Sequence, residues 1–332
     1  MRAAAIAHSY LADRLIVPFA DQRVNLFRGN TLEPRDLPDA VLVFGGDGAV
    51  HRLLPVLANS GAPLLVVPCG SANDFAHCLG IRNHSHALEA WKRYLDHGDN
   101  VRSVDLGMVR PLAPEARGES EQVESRTYAD ADGRIARPSD PLAPAIMRHH
   151  LRHAQANADL QSAIYFSGIA GFGMDAATNQ IASRMPGWLR RSAGYPLAAA
   201  AAYLRYRPLK VKLHSFDSAG RETVLADPIL FAAVGNTPVY GSGMRMLPQA
   251  RLDDGELDLC YVPAMPALRV LMNFHRVYSG THLSIQGVRY LQCRQLFVES
   301  EEPAPIWGDG EYLCRTPVEI SVTKEALRVI FP

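Results

Sequence analysis

Ala40-Val41-Leu42-Val43-Phe44 is an unbroken apolar run that ends on Gly45-Gly46-Asp47-Gly48. Such a run reads as a strand buried on both faces, and strands of that kind belong to parallel sheets covered by helices. Val50, Leu53, Leu54 and Leu57 then recur at helical spacing, Gly61 stops the helix, and Pro63-Leu64-Leu65-Val66-Val67 starts a second buried strand. Further helices are read from Ser71 to Leu79, closed by Gly80, and from Ala87 to Leu95, closed near Gly98. The expectation is an α/β fold whose first unit, residues 1–108, is an open α/β nucleotide-binding domain.

From Val101 the texture changes. Val104, Leu106 and Met108 alternate with small or polar residues, and strand-like runs recur at 163–166, 209–216, 229–234 and 257–262. Alternation at Val318, Ile320 and Val322, then Leu327, Val329 and Ile330, predicts two closing strands. A chain of 332 residues, 48% apolar, is long enough for two domains. The second is expected to be β-rich and sandwich-like over 109–316, with about 317–332 completing the first. An insertion at about 111–159, rich in Pro, Ala and mixed charge, reads as a surface excursion. Within it, Asp130-Ala131-Asp132-Gly133 reads as a turn, because the later ligands of a calcium loop are absent. His149, His150 and His153 have no partner set for a metal, but with Arg148 and Arg152 they form a basic cluster suited to a lipid surface.

Lys plus Arg equals Asp plus Glu at 34 each, so no long-range field is available to hold nucleic acid, which is excluded as a partner. The five cysteines are scattered without metal-ligand spacing and read as free thiols of a reducing compartment. The apolar stretch after Met1-Arg2 is too short for a signal peptide, and Ala198 to Leu204 is too short to span a bilayer. The expected location is cytoplasmic, with any membrane contact peripheral.

Glycines between a buried strand and a helix leave backbone N–H groups unobstructed for phosphate oxygens, with the helix start adding its own favourable field. Asp47 would then stand where a nucleotide-bound Mg²⁺ is held or oriented. A tight turn with no ligand has the same pattern. The next junction, Pro68-Cys69-Gly70-Ser71-Ala72-Asn73-Asp74-Phe75-Ala76, again puts a glycine and a hydroxyl at a helix start, on the same carboxyl edge of the sheet. Ser71 also reads as a helix N-cap, with Asp74 three residues on approximating a capping box.

These two segments resemble the Gly-Gly-Asp-Gly-Thr and Pro-x-Gly-Thr-x-Asn-Asp-Phe-Ala motifs of the catalytic domain shared by diacylglycerol kinases, sphingosine and ceramide kinases and bacterial lipid kinases. The resemblance continues through Val104-Asp105-Leu106-Gly107 and Phe166-Ser167-Gly168-Ile169-Ala170-Gly171-Phe172-Gly173-Met174-Asp175-Ala176. It extends to the segment from Gly241-Ser242-Gly243 to Ala250, to Asp253-Asp254-Gly255-Glu256-Leu257-Asp258, and to Asp309-Gly310-Glu311. It implies an ATP-dependent lipid kinase that works on a lipid substrate at the membrane surface. ATP and Mg²⁺ are the implied cofactors. Gly45, Gly46, Asp47, Gly48, Ala49, Gly70, Ser71, Asn73 and Asp74 would bind the nucleotide. Glu311 would be the general base on the lipid hydroxyl, supported by Asp309. By the same resemblance a second Mg²⁺ would be held by Asp254 and the carbonyls of Arg251 and Glu256; an Asp-Gly turn between strands is the plain alternative.

Three features depart from the family pattern. Ala49 stands where the family has Thr, removing a hydroxyl whose hydrogen bond to a charged group is worth roughly 1.5 to 3 kcal/mol. The early Asn-Pro-x-x-Gly segment is missing, with His8-Ser9-Tyr10 nearest its place, and the insertion replaces a short connection. Two other readings stay open: a degenerate lipid-kinase-like binding protein without catalysis, and an NAD kinase or phosphofructokinase-like sugar kinase, which share the Gly-Gly-Asp-Gly loop. The sequence leaves the lipid unspecified, and the oligomeric state, a homodimer included, open.

Overall fold

The computed structural model describes residues 1–7, 13–29, 31–112, 163–174, 177, 178, 181, 207–241 and 243–332. Outside the described residues lie His8-Ser9-Tyr10, nearly all of the insertion with its turn and basic cluster, Asp175-Ala176, the 198–204 stretch and Ser242.

Four strands, β1 (Arg2–Ala7), β2 (Asn25–Gly29), β3 (Ala40–Gly45) and β4 (Leu64–Pro68), form a parallel sheet in the order β2-β1-β3-β4. The short run Ala3 to Ala7 is thus a central strand, all five residues buried. The strand order reverses between β1 and β3, so the carboxyl end of β3 opens at the switch point where such sheets bind ligands. Three helices follow: α1 (Asp47–Leu57), α2 (Asp74–Cys78) and α3 (His84–Asp96). Helix α3 starts where Asn83 accepts the His86 N–H (2.9 Å) and buries Ala87, Ala90 and Trp91. The helix expected from Ser71 is shorter. Asn73 is in the left-handed region (φ 58°), which breaks the helical path, so α2 begins only at Asp74 and Ser71 is not its N-cap.

Among the described residues the rest is largely strand: β5 (Val101–Pro111), β6 (Ile164–Phe166), β7 (Ile169–Gly173), β8 (Leu209–Phe216), β9 (Glu222–Leu225), β10 (Pro228–Gly235) and β11 (Leu257–Pro263). Two short helices, α4 (Ala267–Asn273) and α5 (Arg276–Ser279), precede β12 (Arg289–Cys293), β13 (Gln295–Ser300), β14 (Pro305–Gly308), β15 (Glu311–Arg315) and β16 (Val318–Ile330). Strands β5, β6, β8, β13 and β16 face β7, β10, β11, β14 and β15 across a shared apolar core that includes Val109, Leu213, Leu296, Phe172 and Ile306. Two β layers meeting over one core make a sandwich.

Strands β5 and β16 pair over almost their whole length and carry the chain from one core to the other. Val104, Leu106 and Leu327 belong to the core of the parallel sheet, whereas Val109, Val318 and Ile320 belong to the sandwich core. The closing segment, expected as two strands, is therefore one. Its pairing with β5 shifts between Thr323 and Leu327, a bulge where Glu325 adopts φ 52°. Asp105, 2% exposed, holds that bulge. Its carboxylate accepts the Glu325 N–H (2.8 Å) and the Gly255 N–H (2.6 Å), and its own carbonyl accepts from the Asn236 side chain (2.6 Å). Two residues on, a Cβ at Gly107 would lie 2.0 Å from the Phe166 ring, so glycine is what lets that ring cover β5.

Asp105→Ala should cost at least about 2 kcal/mol in urea unfolding, because two buried N–H groups lose their acceptor at about 1 to 3 kcal/mol each. A loss below about 0.5 kcal/mol would show that the bulge does not depend on this carboxylate.

Candidate active site

Strands β3 and β4 end side by side, with the Cys69 N–H donating to the Gly45 carbonyl (3.0 Å). Just beyond, the two loops touch through glycines. A Cβ at Gly70 would lie 2.6 Å from Gly46 Cα, and one at Gly46 would lie 3.0 Å from Gly70 Cα. Asn73 closes the second loop on itself: Oδ1 accepts the Gly70 N–H (2.7 Å) and Nδ2 donates to the Gly70 carbonyl (3.0 Å). The Gly70 N–H is taken up by Asn73, whose amide keeps a second N–H, and the Ser71 hydroxyl is exposed beside the Gly46 to Gly48 segment. Ala49 packs its methyl where a Gly45 side chain would be, 2.4 Å from the Cβ position.

Asp47, the first residue of α1, reaches across to the next helix. Its Oδ1 accepts the Phe75 N–H (2.9 Å) and its Oδ2 the Asp74 N–H (3.1 Å), two of the open donors at the start of α2. One carboxylate thus joins both loops, a role that a reading of Asp47 as a ligand-facing turn residue does not contain. Burial raises its pKa above the ordinary carboxylate range, the two N–H bonds oppose that, and the nearby Asp309 carboxylate adds to it.

The third segment comes from the sandwich. Asp309 (φ 53°) and Gly310 (φ 82°) form the two-residue turn between β14 and β15, where Gly308 pairs with Glu311. Positive φ at both central positions is the hairpin geometry that Asp-Gly favours. The Asp309 side chain, 3% exposed, points inward: Oδ2 accepts the Ser167 N–H (2.7 Å) and hydroxyl (3.1 Å), and Oδ1 accepts the Gly168 N–H (2.9 Å). His51 Nδ1 lies 3.3 Å from the same Oδ2. His51 escaped the sequence reading, although one helical turn after Asp47 places it on the same face of α1. Glu311, the next residue of the hairpin after the turn, is exposed, and its Oε1 lies 2.9 Å from where a Gly48 Cβ would stand. Glycine at 48 is what admits this carboxylate to the start of α1. Asp47, Asp309 and Glu311, from three separate segments, gather where the helix field favours negative charge.

Arg251, Asp254 and Glu256 lie apart from this group, in the turn before β11. Asp254 Oδ1 accepts the Glu256 N–H (3.1 Å), the Arg251 guanidinium contacts Asp253 (3.4 Å), and Gly255 rests on Asp105. Burial raises the Asp254 pKa, and the Glu256 and Asp105 carboxylates raise it further. Next along β11, Asp258 is fully buried and is pushed up to about 6, chiefly by that burial. Among the described residues, no three His, Cys, Asp or Glu side chains converge as a metal centre. Mg²⁺ needs no such cage, since it keeps waters and binds through one or two carboxylates with substrate phosphates. Asp47 and Asp254 could each offer one carboxylate in that mode, Asp47 while still capping α2 and Asp254 with its Oδ1 on the Glu256 N–H.

Asp47→Ala should lower unfolding stability by about 1 kcal/mol, the usual cost of losing a helix cap, and Asp47→Asn by less, because its amide oxygen still accepts one N–H. An alanine variant as stable as the parent in urea unfolding would mean that the carboxylate does not cap α2.

Two family models match the chain. The family model described as "Diacylglycerol kinase catalytic domain" matches residues 28–109, and that described as "YegS C-terminal NAD kinase beta sandwich-like domain" matches 168–331. A diacylglycerol kinase of Mycobacterium tuberculosis is 27% identical over 300 residues, covering 89% of this chain and 77% of that protein. A protein of Chromohalobacter salexigens named "Probable lipid kinase YegS-like" is 28% identical over 278 residues, covering 82% and 69%. The crystal structure of a diacylglycerol kinase from Bacillus anthracis str. Sterne superposes with a TM-score of 0.58 at 16% identity, covering all of this chain and 97% of that one, a likeness of fold. With a catalytic-domain match on the two glycine loops and a sandwich match that runs through the Asp309-Gly310-Glu311 hairpin, the chain belongs to the diacylglycerol kinase catalytic-domain family of lipid kinases.

Proposed function

We propose that the protein transfers the γ-phosphate of ATP to a hydroxyl of diacylglycerol or of a sphingoid or ceramide lipid. The observation that carries this is Glu311, an exposed carboxylate seated against Gly48 at the start of α1. Phosphates resting on the Gly46 to Gly48 turn would put the transferable group beside it. As the lipid oxygen forms its bond to the γ-phosphorus, Glu311 accepts the hydroxyl proton, and the bond to the β,γ-bridging oxygen breaks to release ADP. Asp309 and His51 position the hairpin and touch no reacting atom. Mg²⁺, when bound near Asp47, would neutralise charge on the transferred phosphate, and a second ion at Asp254 would settle the acidic turn before β11.

An apolar cavity supports the lipid end of this reading. An apolar cavity of about 80 Å³ in the β-rich half is lined by Met174, Phe231, Met246, Val262, Phe274 and Val277 among others. Strand β7 links the two ends. The Ile169 carbonyl accepts the Asp309 N–H (3.1 Å), and Met174 is at the cavity wall five residues later, about 17 Å of extended chain. A lipid whose hydroxyl is at Glu311 could bring part of its tail over that span to the cavity, which at about 80 Å³ takes only a few methylenes.

The direct test is incubation with γ-labelled ATP and, separately, diacylglycerol, ceramide, sphingosine, monoacylglycerol and NAD. Label on one of the lipids supports the proposal. Label on NAD alone, or ATP binding without transfer to any acceptor, contradicts it. Gly48→Ala adds a sharper prediction. Alanine favours the helix by about 0.5 to 1 kcal/mol over glycine, yet its methyl would displace Glu311. Stability should hold or rise while transfer falls by about tenfold or more; full activity in a correctly folded Gly48→Ala protein would place the proton acceptor elsewhere.

A further inference from the structure

Between Asp258 and Glu299 the chain has no acidic residue, yet it carries Arg269, Arg276, Arg289 and Arg294. In a chain with equal numbers of acids and bases, that is a local concentration of positive charge. Helices α4 and α5 lie within it, and Phe274 and His275 between them keep right-handed helical backbone, so 267–279 winds in one sense. Its inner side supplies Val270, Asn273, Phe274 and Val277 to the apolar cavity. Opposite them Leu268 is 67% and Met272 64% exposed, four residues apart on one face, and Tyr278 is 44% exposed. Single exposed apolar residues are ordinary. Here they stand together on the element that roofs an apolar cavity. Arg269 donates to the Gln286 carbonyl (2.8 Å), and Arg276 to Asn273, Thr281 and Ser284, all neutral partners that leave both positive charges uncompensated by these bonds. The Arg269 contact also holds the 285–289 loop beside α4, where Ile285 and Val288 line the cavity and Arg289 is exposed.

We propose that the outer face of 267–279 is a docking surface for a bilayer containing anionic lipids. Leu268, Met272 and Tyr278 enter the interfacial layer, and Arg269, Arg276 and Arg289 meet headgroup phosphates. Docked this way, the helical roof of the cavity lies on the membrane, and a lipid can pass between bilayer and cavity without crossing water. Among the described residues no helix is long and apolar enough to cross a membrane, so this contact is by insertion of side chains from one face. The purpose of the surface rests on the lipid-kinase reading; the binding does not.

The test is co-sedimentation of the full chain, without ATP, with vesicles of phosphatidylcholine alone or mixed with phosphatidylglycerol. The protein should sediment with the mixed vesicles and much less with phosphatidylcholine. The double variant Leu268→Asp, Met272→Asp should bind mixed vesicles about tenfold less or weaker, with an unchanged unfolding temperature and unchanged activity on detergent-dispersed lipid. Leu268→Trp, at an unchanged unfolding temperature and without pelleting in the absence of vesicles, should bind more tightly than the parent. The proposal is overturned if the parent ignores mixed vesicles or if the double variant binds them equally. It is also overturned if the double variant turns a dimer into a monomer, which would assign the face to a second copy of the chain. A chain that binds vesicles but transfers no phosphate contradicts only the kinase reading, and one that phosphorylates dispersed lipid but binds no vesicles contradicts only this one.

Discussion

The buried carboxylate of Asp309 is the contact on which the proposed catalytic arrangement depends. A two-residue turn alone would leave the β14–β15 tip free to swing. By accepting the Ser167 N–H and hydroxyl and the Gly168 N–H, with His51 against the same oxygen, Asp309 ties the tip to the β6–β7 connection and to α1. Two residues after Asp309, the exposed Glu311 lies against the space that Gly48 leaves open. The same logic recurs at Asp47 and Asp105. In each case a carboxylate satisfies backbone N–H groups from a distant segment, and those bonds oppose its cost of burial.

This explains which parts of the molecule were legible in the sequence. The buried strands β3 and β4, the glycine turns and the alternating strands of the sandwich announce themselves through local pattern, since burial on two faces or one imposes a period on neighbouring residues. The three carboxylate ties could not be read that way. Asp47 to Phe75 spans 28 positions and Asp105 to Glu325 spans 220, and no local pattern marks either pair. The same cause accounts for the errors. Ser71 has the composition of a cap, but the cap of α2 comes from α1, and the apparent break near Thr323 is a bulge created by Asp105 inside one continuous strand. Strand β1 gives no such signal, because Ala3-Ala4-Ala5-Ile6-Ala7 is too short and too small-sided to mark a central strand without its neighbours.

The two halves divide the labour by chemistry. The parallel sheet supplies backbone donors and a helix start, which suit phosphate; the sandwich supplies an apolar cavity and the carboxylate hairpin, which suit a lipid alcohol. Continuous pairing of β5 with β16 keeps them in register, so the distance between the glycine turn and the hairpin is set by strands rather than by a linker. At Ala49 the methyl occupies the space beside Gly45, a contact that the Cβ of any residue at 49 would make.

The central claim is that Glu311 serves the acceptor hydroxyl and takes no part in holding the nucleotide. The most direct measurement is Mg·ATP affinity by calorimetry alongside single-turnover phosphate transfer to lipid, both on Glu311→Gln. The account predicts a Kd within about twofold of the parent and a transfer rate lower by about 10² to 10⁴-fold, the usual worth of a general base. A loss of affinity that matches the loss of rate, or transfer at the parent's rate, would contradict it.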